Sequence, residues 1–273
     1  ATFELKNSLT KQTVLDAVEQ YKRDRSPRER LFEFGRCAVH FAVDDAEVRM
    51  CTQLDGKASW FLPFNKGHDD GAGNPPNPHG LKTDYLWKEM LTPAGLTDIL
   101  ENYAQIVEVK HPKTGKKTLA PSLLFPRYHQ LDAVRKLLAA TLSEGVGQTY
   151  LVQHSAGSGK SNTIGWSAHQ LSTQFDGNNQ KIFSSVIVIT DRRVLDQQLQ
   201  DTIKQFEATP GVVVKVDENS TQLAEALRNE AKIIVTTLQK FPFVLGKMGK
   251  MKDRTFAVII DEAHSSQSGK SAV

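Results

Sequence analysis

Short apolar runs alternate with amphipathic stretches through the second half of this chain. The runs occupy residues 149–153, 186–190, 212–216, 232–236 and 257–261. Helical patterns occupy residues 129–141, 160–171, 195–206, 222–229 and 238–245. Apolar strands that lack polar alternation are buried on both faces, so this order predicts an α/β fold with a parallel sheet covered by helices.

The first half follows another pattern, which predicts a β-α-β-β order. Phe3 and Leu5 alternate with Glu4 and Lys6 as in a half-buried strand, and residues 10–23 repeat apolar positions at helical spacing. Strand patterns lie at 37–43 and 47–52, a short apolar stretch at 61–64, and a further helix at 92–103. Gly and Pro are concentrated at 65–81, which predicts a long irregular loop, either ordered or mobile.

These patterns predict two domains. We expect the first over residues 1–108 and the second over residues 125–273, joined by a basic linker at 109–124. The linker has two interpretations, a basic hairpin or a solvated turn. The solvated turn is favoured because runs of charge usually face water.

Composition limits the function classes. The net charge of +3 permits a nucleic-acid partner without requiring one. Cys37 and Cys51 have no metal-ligand spacing and predict core thiols in a reducing cytosol. No apolar run has membrane-spanning length and no signal peptide opens the chain, so we expect a cytoplasmic protein without a membrane partner. The chain starts inside a strand pattern without Met, which predicts a fragment of a longer protein.

A glycine-rich turn follows the run at 149–153. It reads Gly157, Ser158, Gly159, Lys160 and Ser161, although His154 stands at the first position, where the usual eight-residue pattern has glycine. Such a turn directs backbone N–H groups at phosphate, and the helix N-terminus adds partial positive charge. We expect Lys160 to reach the β- and γ-phosphates of ATP and the Ser161 hydroxyl to hold Mg²⁺.

Two carboxylates end the last apolar run. Asp261 is expected to take the same Mg²⁺, and Glu262 to orient or deprotonate a water aimed at the γ-phosphate. A flexible loop beside a capped helix is the alternative for the turn alone. The presence of both motifs in this order makes that alternative much weaker.

Further candidates stand near the turn and at strand ends. Arg127 and Gln130 precede it and are expected at the adenine base, with an exposed helix-start glutamine as an equal alternative for Gln130. The expected DNA-phosphate contacts are Arg192, Arg193, Thr236, Thr237, Gln239 and Lys240. Helix capping by Asp191 and Thr237 explains the hydroxyls but not the paired arginines.

The order of these motifs resembles the first RecA-like domain of superfamily 2 helicases and translocases. The runs at 153–161, 188–200 and 236–243 resemble the R (motor and restriction) subunit of type I restriction–modification enzymes, as do 61–67 and 73–78. The resemblance covers nearly the whole chain. It implies a RecA-like parallel sheet in the second domain, preceded by a truncated α/β PD-(D/E)xK nuclease domain.

That resemblance also implies a nuclease site at the start of the chain. Glu4 and Lys6 fit the family's E-x-K step, with Glu4 on Mg²⁺ and Lys6 on the attacking water. The family's Gln-x-x-x-Tyr step has Ala17 at its glutamine position, so Gln20 beside Tyr21 is the expected substitute. On spacing alone, an exposed strand face is the better interpretation of Glu4 and Lys6.

The resemblance implies ATP-driven translocation of double-stranded DNA and its cleavage. It also implies Mg²⁺ as cofactor, modification and specificity subunits as partners, and the cytoplasm of a prokaryote as location. Two alternatives remain: a superfamily 2 helicase or remodelling ATPase without nuclease activity, and a non-catalytic nucleotide-binding scaffold.

Overall fold

Two compact units make up the chain, Ala1–Asp132 and Ala133–Val273. The computed structural model describes residues 1–69, 71–110, 117–190, 193–207, 210–216, 219–241 and 254–262, without the side chains of 108–110, 117–120 and 193–198. No described helix is both long and apolar enough to cross a membrane.

A four-stranded sheet forms the centre of the first unit. Its strands are β1 (Thr2–Leu5), β2 (His40–Val43), β3 (Val48–Cys51) and β4 (Leu62–Pro63), in that spatial order. Strand β1 runs parallel to β2, and the other pairs are antiparallel. Helix α1 (Val14–Asp24) connects β1 to β2 in sequence, which confirms the predicted β-α-β-β order.

Helix α1 begins four residues later than predicted because of a capping box. The Thr13 hydroxyl accepts a hydrogen bond from the Leu15 amide, and the Asp16 carboxylate accepts one from the Thr13 amide. These bonds satisfy donors that the first helical turn leaves open. Val14 and Val18 are buried beneath the helix as predicted.

Strand β1 directs its polar side chains toward helix α1, whereas a half-buried strand usually directs its apolar side chains toward the covering element. Its polar positions face α1: Thr2 shares a hydrogen bond of 2.9 Å with Tyr21, and Lys6 donates one of 2.6 Å to Gln20. Phe3 lies on the other face and stacks on Phe41 with 5.7 Å between ring centroids. The alternation predicts the strand correctly but not which face the helix covers.

The loop at 65–81 is ordered by a buried asparagine where the structure describes it. Asn74 accepts a hydrogen bond from the Lys66 amide at 2.8 Å. Its side-chain nitrogen donates to the Ala46 carbonyl at 2.8 Å and to the Asn65 side chain at 2.9 Å. One side chain therefore ties three parts of the chain together.

The first unit continues through α2 (Pro93–Asn102) to a hairpin. Strands β5 (Gln105–Lys110) and β6 (Lys117–Leu124) pair antiparallel, so the backbone forms the hairpin that was the less favoured interpretation of the linker. The turn residues 111–116 lie outside the described residues. Helix α3 (Tyr128–Glu144) begins in the first unit and continues into the second.

The second unit contains the predicted parallel sheet. Its described strands are β7 (Ser185–Thr190), β8 (Val213–Lys215), β9 (Ile233–Thr237) and β10 (Phe256–Ile260), in the spatial order β10-β7-β9-β8. All three described pairings are parallel. The helices are α4 (Lys160–Ser172), α5 (Arg193–Gln205) and α6 (Ser220–Arg228).

Helices cover both faces of this sheet. On one face, Val188 and Val235 pack with Leu171 of α4 and Ile203 of α5. On the other, Ile187, Ile189 and Ile234 pack with α6 residues that include Leu223. The three layers confirm the prediction drawn from the strands without polar alternation.

The strand predicted at 149–153 is wrong. These residues form no ladder with the described strands, and Leu151 is 85% exposed. Gly145 and Gly147 have φ angles of 74° and 94°, so the chain leaves α3 through left-handed turns rather than in an extended path. Of the helix predicted at 238–245, the described part is one turn at Leu238–Lys240.

Helices α4 and α5 meet at Gly165. A Cβ atom there would lie 2.5 Å from Cε2 of Phe206, a ring that stacks on Trp166 at a centroid distance of 5.4 Å. We expect Gly165→Ala to lower the midpoint of thermal unfolding, because overpacking costs about 1–3 kcal/mol and outweighs a helix-propensity gain of about 1 kcal/mol.

The matched control is Gly177→Ala, whose Cβ meets nothing within 4 Å. The double variant Gly165→Ala/Phe206→Leu should recover part of the loss. An unchanged unfolding midpoint in Gly165→Ala would show that the ring moves aside freely.

Buried His40 predicts a pH dependence of stability. Burial lowers the pKa of His40 to about 4, and its Nδ1 lies 2.7 Å from the Thr2 hydroxyl. The unfolded chain binds this proton near pH 6.5 and the folded chain does not, so stability falls as pH drops from about 6.5 to about 4. The full loss amounts to about 3 kcal/mol.

Urea unfolding, followed at several pH values, checks this expectation. His40→Gln should flatten the profile in this window, whereas His79→Gln, at an exposed position, should leave it unchanged. Equal slopes in all three proteins would show that folding does not lower the pKa of His40.

Candidate nucleotide and nuclease sites

The phosphate turn is built from left-handed glycines that lead into α4. Gly157 has a φ of 72° and Gly159 a φ of 84°, values that L side chains rarely adopt. Gly159 is the N-cap of α4, and Lys160 is its first residue. Ser158 is buried and Ser161 half-buried in the same stretch. The open N–H groups of the first helical turn and the glycine backbone form an arrangement suited to an anion.

The two carboxylates follow directly after β10. The Asp261 amide donates to the Ile189 carbonyl at 2.9 Å, which continues the ladder with β7 by one residue. Glu262 has a φ of 53°, and its amide donates to Oδ1 of Asp261 at 3.0 Å. A non-glycine residue in this left-handed region is uncommon, and here it lies two residues after the end of β10.

Lys160 and Glu262, far apart in sequence, meet at this end of the sheet. The Lys160 ammonium donates to Oε1 of Glu262 at 2.8 Å. This contact raises the pKa of Lys160. Burial, and next the charge of Glu262, raise the pKa of Asp261, while Lys160 acts in the opposite direction. The structure therefore brings the lysine of the turn to both carboxylates.

Two residues, each next in sequence to one partner of the Lys160–Glu262 contact, carry oxygen donors that suit Mg²⁺. The Ser161 hydroxyl and the Asp261 carboxylate are hard ligands, and Mg²⁺ usually takes one or two protein ligands together with phosphate oxygens and water. Among the described residues, no group of three or more His, Cys, Asp or Glu side chains could hold a metal by itself. The ion is therefore expected to bind here together with a nucleotide.

Gln130 lies at the start of α3 and is only 3% exposed. Its side-chain oxygen accepts a hydrogen bond from the Arg127 amide at 2.9 Å, so the side chain caps the helix. The alternative of an exposed glutamine is wrong on exposure. Adenine recognition by Arg127 and Gln130 stays a prediction.

The predicted DNA contacts divide into buried and exposed groups. Thr236 is fully buried and Thr237 nearly so, whereas Gln239 is exposed. Lys240 donates to the Val216 carbonyl. No hydrogen bond of the Thr237 side chain caps the following turn, so the capping alternative for it is wrong.

Arg192 and Asp191 lie outside the described residues. Arg193 begins α5, and its side chain is outside the description. DNA binding by Arg192 and Arg193 stays a prediction. The same is true of the four residues at the end of β9, which are Thr236, Thr237, Gln239 and Lys240.

The E-x-K residues of the first unit share one face of β1. Glu4 accepts a hydrogen bond from Nε of Arg25 at 2.6 Å, and Lys6 donates to Oε1 of Gln20 at 2.6 Å. Both partners belong to α1 or its C-cap. The structure therefore joins Glu4, Lys6 and Gln20 in one polar layer beneath α1, where Tyr21 holds Thr2.

The polar layer beneath α1 supplies a single protein ligand for a nuclease Mg²⁺. Glu4 supplies this carboxylate. Across the part of the chain that the structure describes, no group of three or more His, Cys, Asp or Glu side chains could hold a metal ion. Further ligands to such an ion must come from DNA, water or other residues. Lys6 is a cation on the same face of β1 as Glu4, because side-chain direction repeats every two strand residues.

Sequence reasoning missed Arg25, which contacts Glu4. Arg25 lies 21 positions from Glu4 in the sequence, and a pair at that distance leaves no recognisable sequence pattern. The clue available was the cluster Lys22, Arg23 and Arg25 at the end of a helix that follows the E-x-K strand.

Comparison with known proteins bears on both units. Residues 129–273, more than half of the chain, match the SWI2/SNF2 ATPase family. The chain belongs to the SWI2/SNF2 ATPase family. The matched region contains the turn at Gly157–Ser161 and the carboxylates Asp261 and Glu262. Residues 1–59 of this SWI2/SNF2 chain match the N terminus of the type I restriction enzyme R protein, a region that includes Glu4 and Lys6.

Two curated proteins are similar over most of the chain. The type I restriction enzyme HindI endonuclease subunit of Haemophilus influenzae is 28% identical over 98% of this chain and 25% of its own length. A putative type I restriction enzyme endonuclease subunit, MjaVIIIP, of Methanocaldococcus jannaschii is 23% identical over 96% of this chain and 26% of its own length.

A third relative is similar over a shorter region. It is the C-terminal part of MpnIIP, a putative type I restriction enzyme endonuclease subunit from Mycoplasma pneumoniae, and it is 32% identical over 44% of this chain and 57% of its own length. The SWI2/SNF2 chain thus spans about a quarter of the length of the two relatives that are similar to nearly all of it.

Proposed function

We propose that this chain is part of the restriction subunit of a type I restriction–modification enzyme, which couples ATP hydrolysis to DNA translocation and cleavage. The observation that carries the motor half is the 2.8 Å contact between Lys160 and Glu262, with Asp261 beside them. The second unit is then the first RecA-like lobe of the motor. The first unit is then part of a PD-(D/E)xK nuclease.

The residues of the nucleotide site have distinct tasks. Backbone N–H groups of the turn at Gly157–Ser161 hold the phosphates, and Lys160 leaves Glu262 to contact the β- and γ-phosphates. Ser161 and Asp261 hold Mg²⁺, which supplies positive charge to the phosphate oxygens. Glu262, released by the lysine, accepts a proton from the attacking water or orients it.

The nuclease half rests on Glu4 and Lys6. Glu4 holds a divalent ion, which polarises the scissile phosphate. Lys6 stabilises the negative charge that develops on the phosphate, and Gln20 fixes the lysine by the 2.6 Å hydrogen bond. The relatives named as endonuclease subunits support this assignment over a helicase without nuclease activity.

The position of Glu262 argues against the scaffold alternative. A protein that only binds nucleotide gains little from a carboxylate held 2.8 Å from the phosphate-binding lysine. Double-stranded DNA and the modification and specificity subunits are the proposed partners, in the cytoplasm of a prokaryote. Adenine recognition by Arg127 and Gln130 belongs to the same proposal.

The test uses the complete subunit assembled with its modification and specificity partners. ATP turnover should rise when duplex DNA is added, and cleavage should require both ATP and Mg²⁺. Cleavage that proceeds without ATP would remove the motor from the reaction. ATP turnover together with intact DNA would favour the helicase alternative.

A further inference from the structure

Arg25 connects the end of α1 to the E-x-K strand. It is the C-cap residue of the helix, and its Nε donates to Oε1 of Glu4 at 2.6 Å. The Glu4 side chain is only 12% exposed, so the carboxylate of this ion pair is largely shielded from water. The contact raises the pKa of Arg25 and keeps the guanidinium charged.

The guanidinium uses one of its five N–H groups for this contact. Within the described residues, neither terminal nitrogen of Arg25 makes a hydrogen bond, and its side chain is 36% exposed. The terminal N–H groups therefore remain available on a partly exposed side chain whose Nε is held by Glu4. Arginine presents such groups as a planar fork that matches the oxygens of a phosphate.

Two cations lie beside the Glu4 carboxylate in the polar layer beneath α1. They are Arg25, which donates to Glu4, and Lys6, which donates to Gln20. The carboxylates of Asp24 and Glu29 also act on Arg25, so this position offers a DNA backbone the arginine fork beside the E-x-K residues rather than a local excess of positive charge. The surface pair of Arg23 with Glu19 at 3.0 Å is more exposed on both sides, at 69% and 49%.

We propose that Arg25 is a DNA-phosphate ligand of the nuclease site. Its Nε fixes the Glu4 carboxylate, and its terminal N–H groups bind a backbone phosphate next to the scissile bond. This inference rests on the proposed nuclease function of the first unit. It adds to that function a DNA contact that is independent of Mg²⁺, because the guanidinium binds the DNA phosphate directly.

The test measures binding of the complete subunit to non-specific duplex DNA over a range of salt concentrations, with EDTA present and ATP absent. Each lost phosphate contact reduces the slope of log affinity against log salt by about 0.9. Arg25→Ala should show that reduction. Arg23→Ala, in the same helical turn, should keep the slope of the parent protein.

Two more variants keep the outcome clear. Arg25→Lys retains the charge and should retain most of the slope, with weaker affinity because the fork is lost. If Arg25→Ala fails to fold, Arg25→Gln removes the charge and keeps an amide donor, and it should show the same reduction. A slope equal to that of Arg23→Ala in every uncharged variant would overturn the proposal.

Failure of this inference is distinguishable from failure of the nuclease assignment. The latter is tested by cleavage with Glu4→Ala. Loss of cleavage in Glu4→Ala, combined with an unchanged salt slope in Arg25→Ala, would reject the phosphate contact alone. Normal cleavage in Glu4→Ala would reject the nuclease assignment, whatever the slope.

Discussion

Replacing Lys160 by alanine should reduce DNA-stimulated ATP turnover by the complete subunit about 100- to 1,000-fold, the loss typical for a group that stabilises transition-state charge. The ammonium lies 2.8 Å from Glu262 and beside Asp261, where the phosphates of a bound nucleotide are proposed to lie. Without it, the γ-phosphate loses a positive charge that no other described side chain in this contact supplies.

The effect should be catalytic rather than structural. Lys160 and Glu262 are both about one-third exposed, and pairs of that kind contribute about 1 kcal/mol or less to stability. Lys160→Ala should therefore keep its thermal midpoint nearly unchanged. The control is Lys232→Ala, an exposed lysine directly before β9, at the other end of the strands. Turnover in Lys160→Ala equal to that in the control would reject the motor assignment.

Replacing Glu4 by alanine should abolish DNA cleavage while ATP turnover stays within about twofold of the parent. Glu4 is the one carboxylate in the polar layer beneath α1 that is proposed to hold a divalent ion, and nuclease chemistry without that ion is slow. The proposed phosphate and Mg²⁺ ligands of the ATP site lie in the other unit, so its chemistry should continue. Gel assays of plasmid cleavage and a coupled ATP assay measure the two activities on the same preparation.

Glu19→Ala is the matched control for this second prediction. Glu19 lies on α1, pairs with Arg23 at the surface and makes no side-chain hydrogen bond or ion pair with β1 among the described residues. Its removal should leave both activities intact. Cleavage by Glu4→Ala at the parent rate would show that the E-x-K match is an exposed strand face, the interpretation favoured by spacing alone.

The sequence predicted most of the second unit because its signals are local. Uninterrupted runs such as Val186–Thr190 have few alternatives to a buried strand, and Gly157 and Gly159 supply the left-handed backbone that the turn requires. The order of the motifs then places Lys160 and Asp261 at neighbouring elements. Parallel pairing of β7 with β9 and β10 brings their carboxyl ends to one edge.

What the sequence did not predict depends on partners distant in the chain. The run at 149–153 is apolar, but a strand also needs a neighbour to pair with, and nothing in five residues specifies one. For β1, alternation gives two faces, and the choice between them was made by Arg25, Gln20 and Tyr21 on α1. The Arg25–Glu4 contact likewise joins two residues that are distant in the chain.

Lys160 and Asp261 together are proposed to hold a magnesium-bound triphosphate. The decisive measurement is a structure of the complete subunit with Mg²⁺ and a non-hydrolysable ATP analogue. We expect the Lys160 ammonium to leave Glu262 for the β- and γ-phosphates, and Asp261 to lie in the coordination shell of the ion. A nucleotide bound elsewhere, with Lys160 still paired to Glu262, would contradict it.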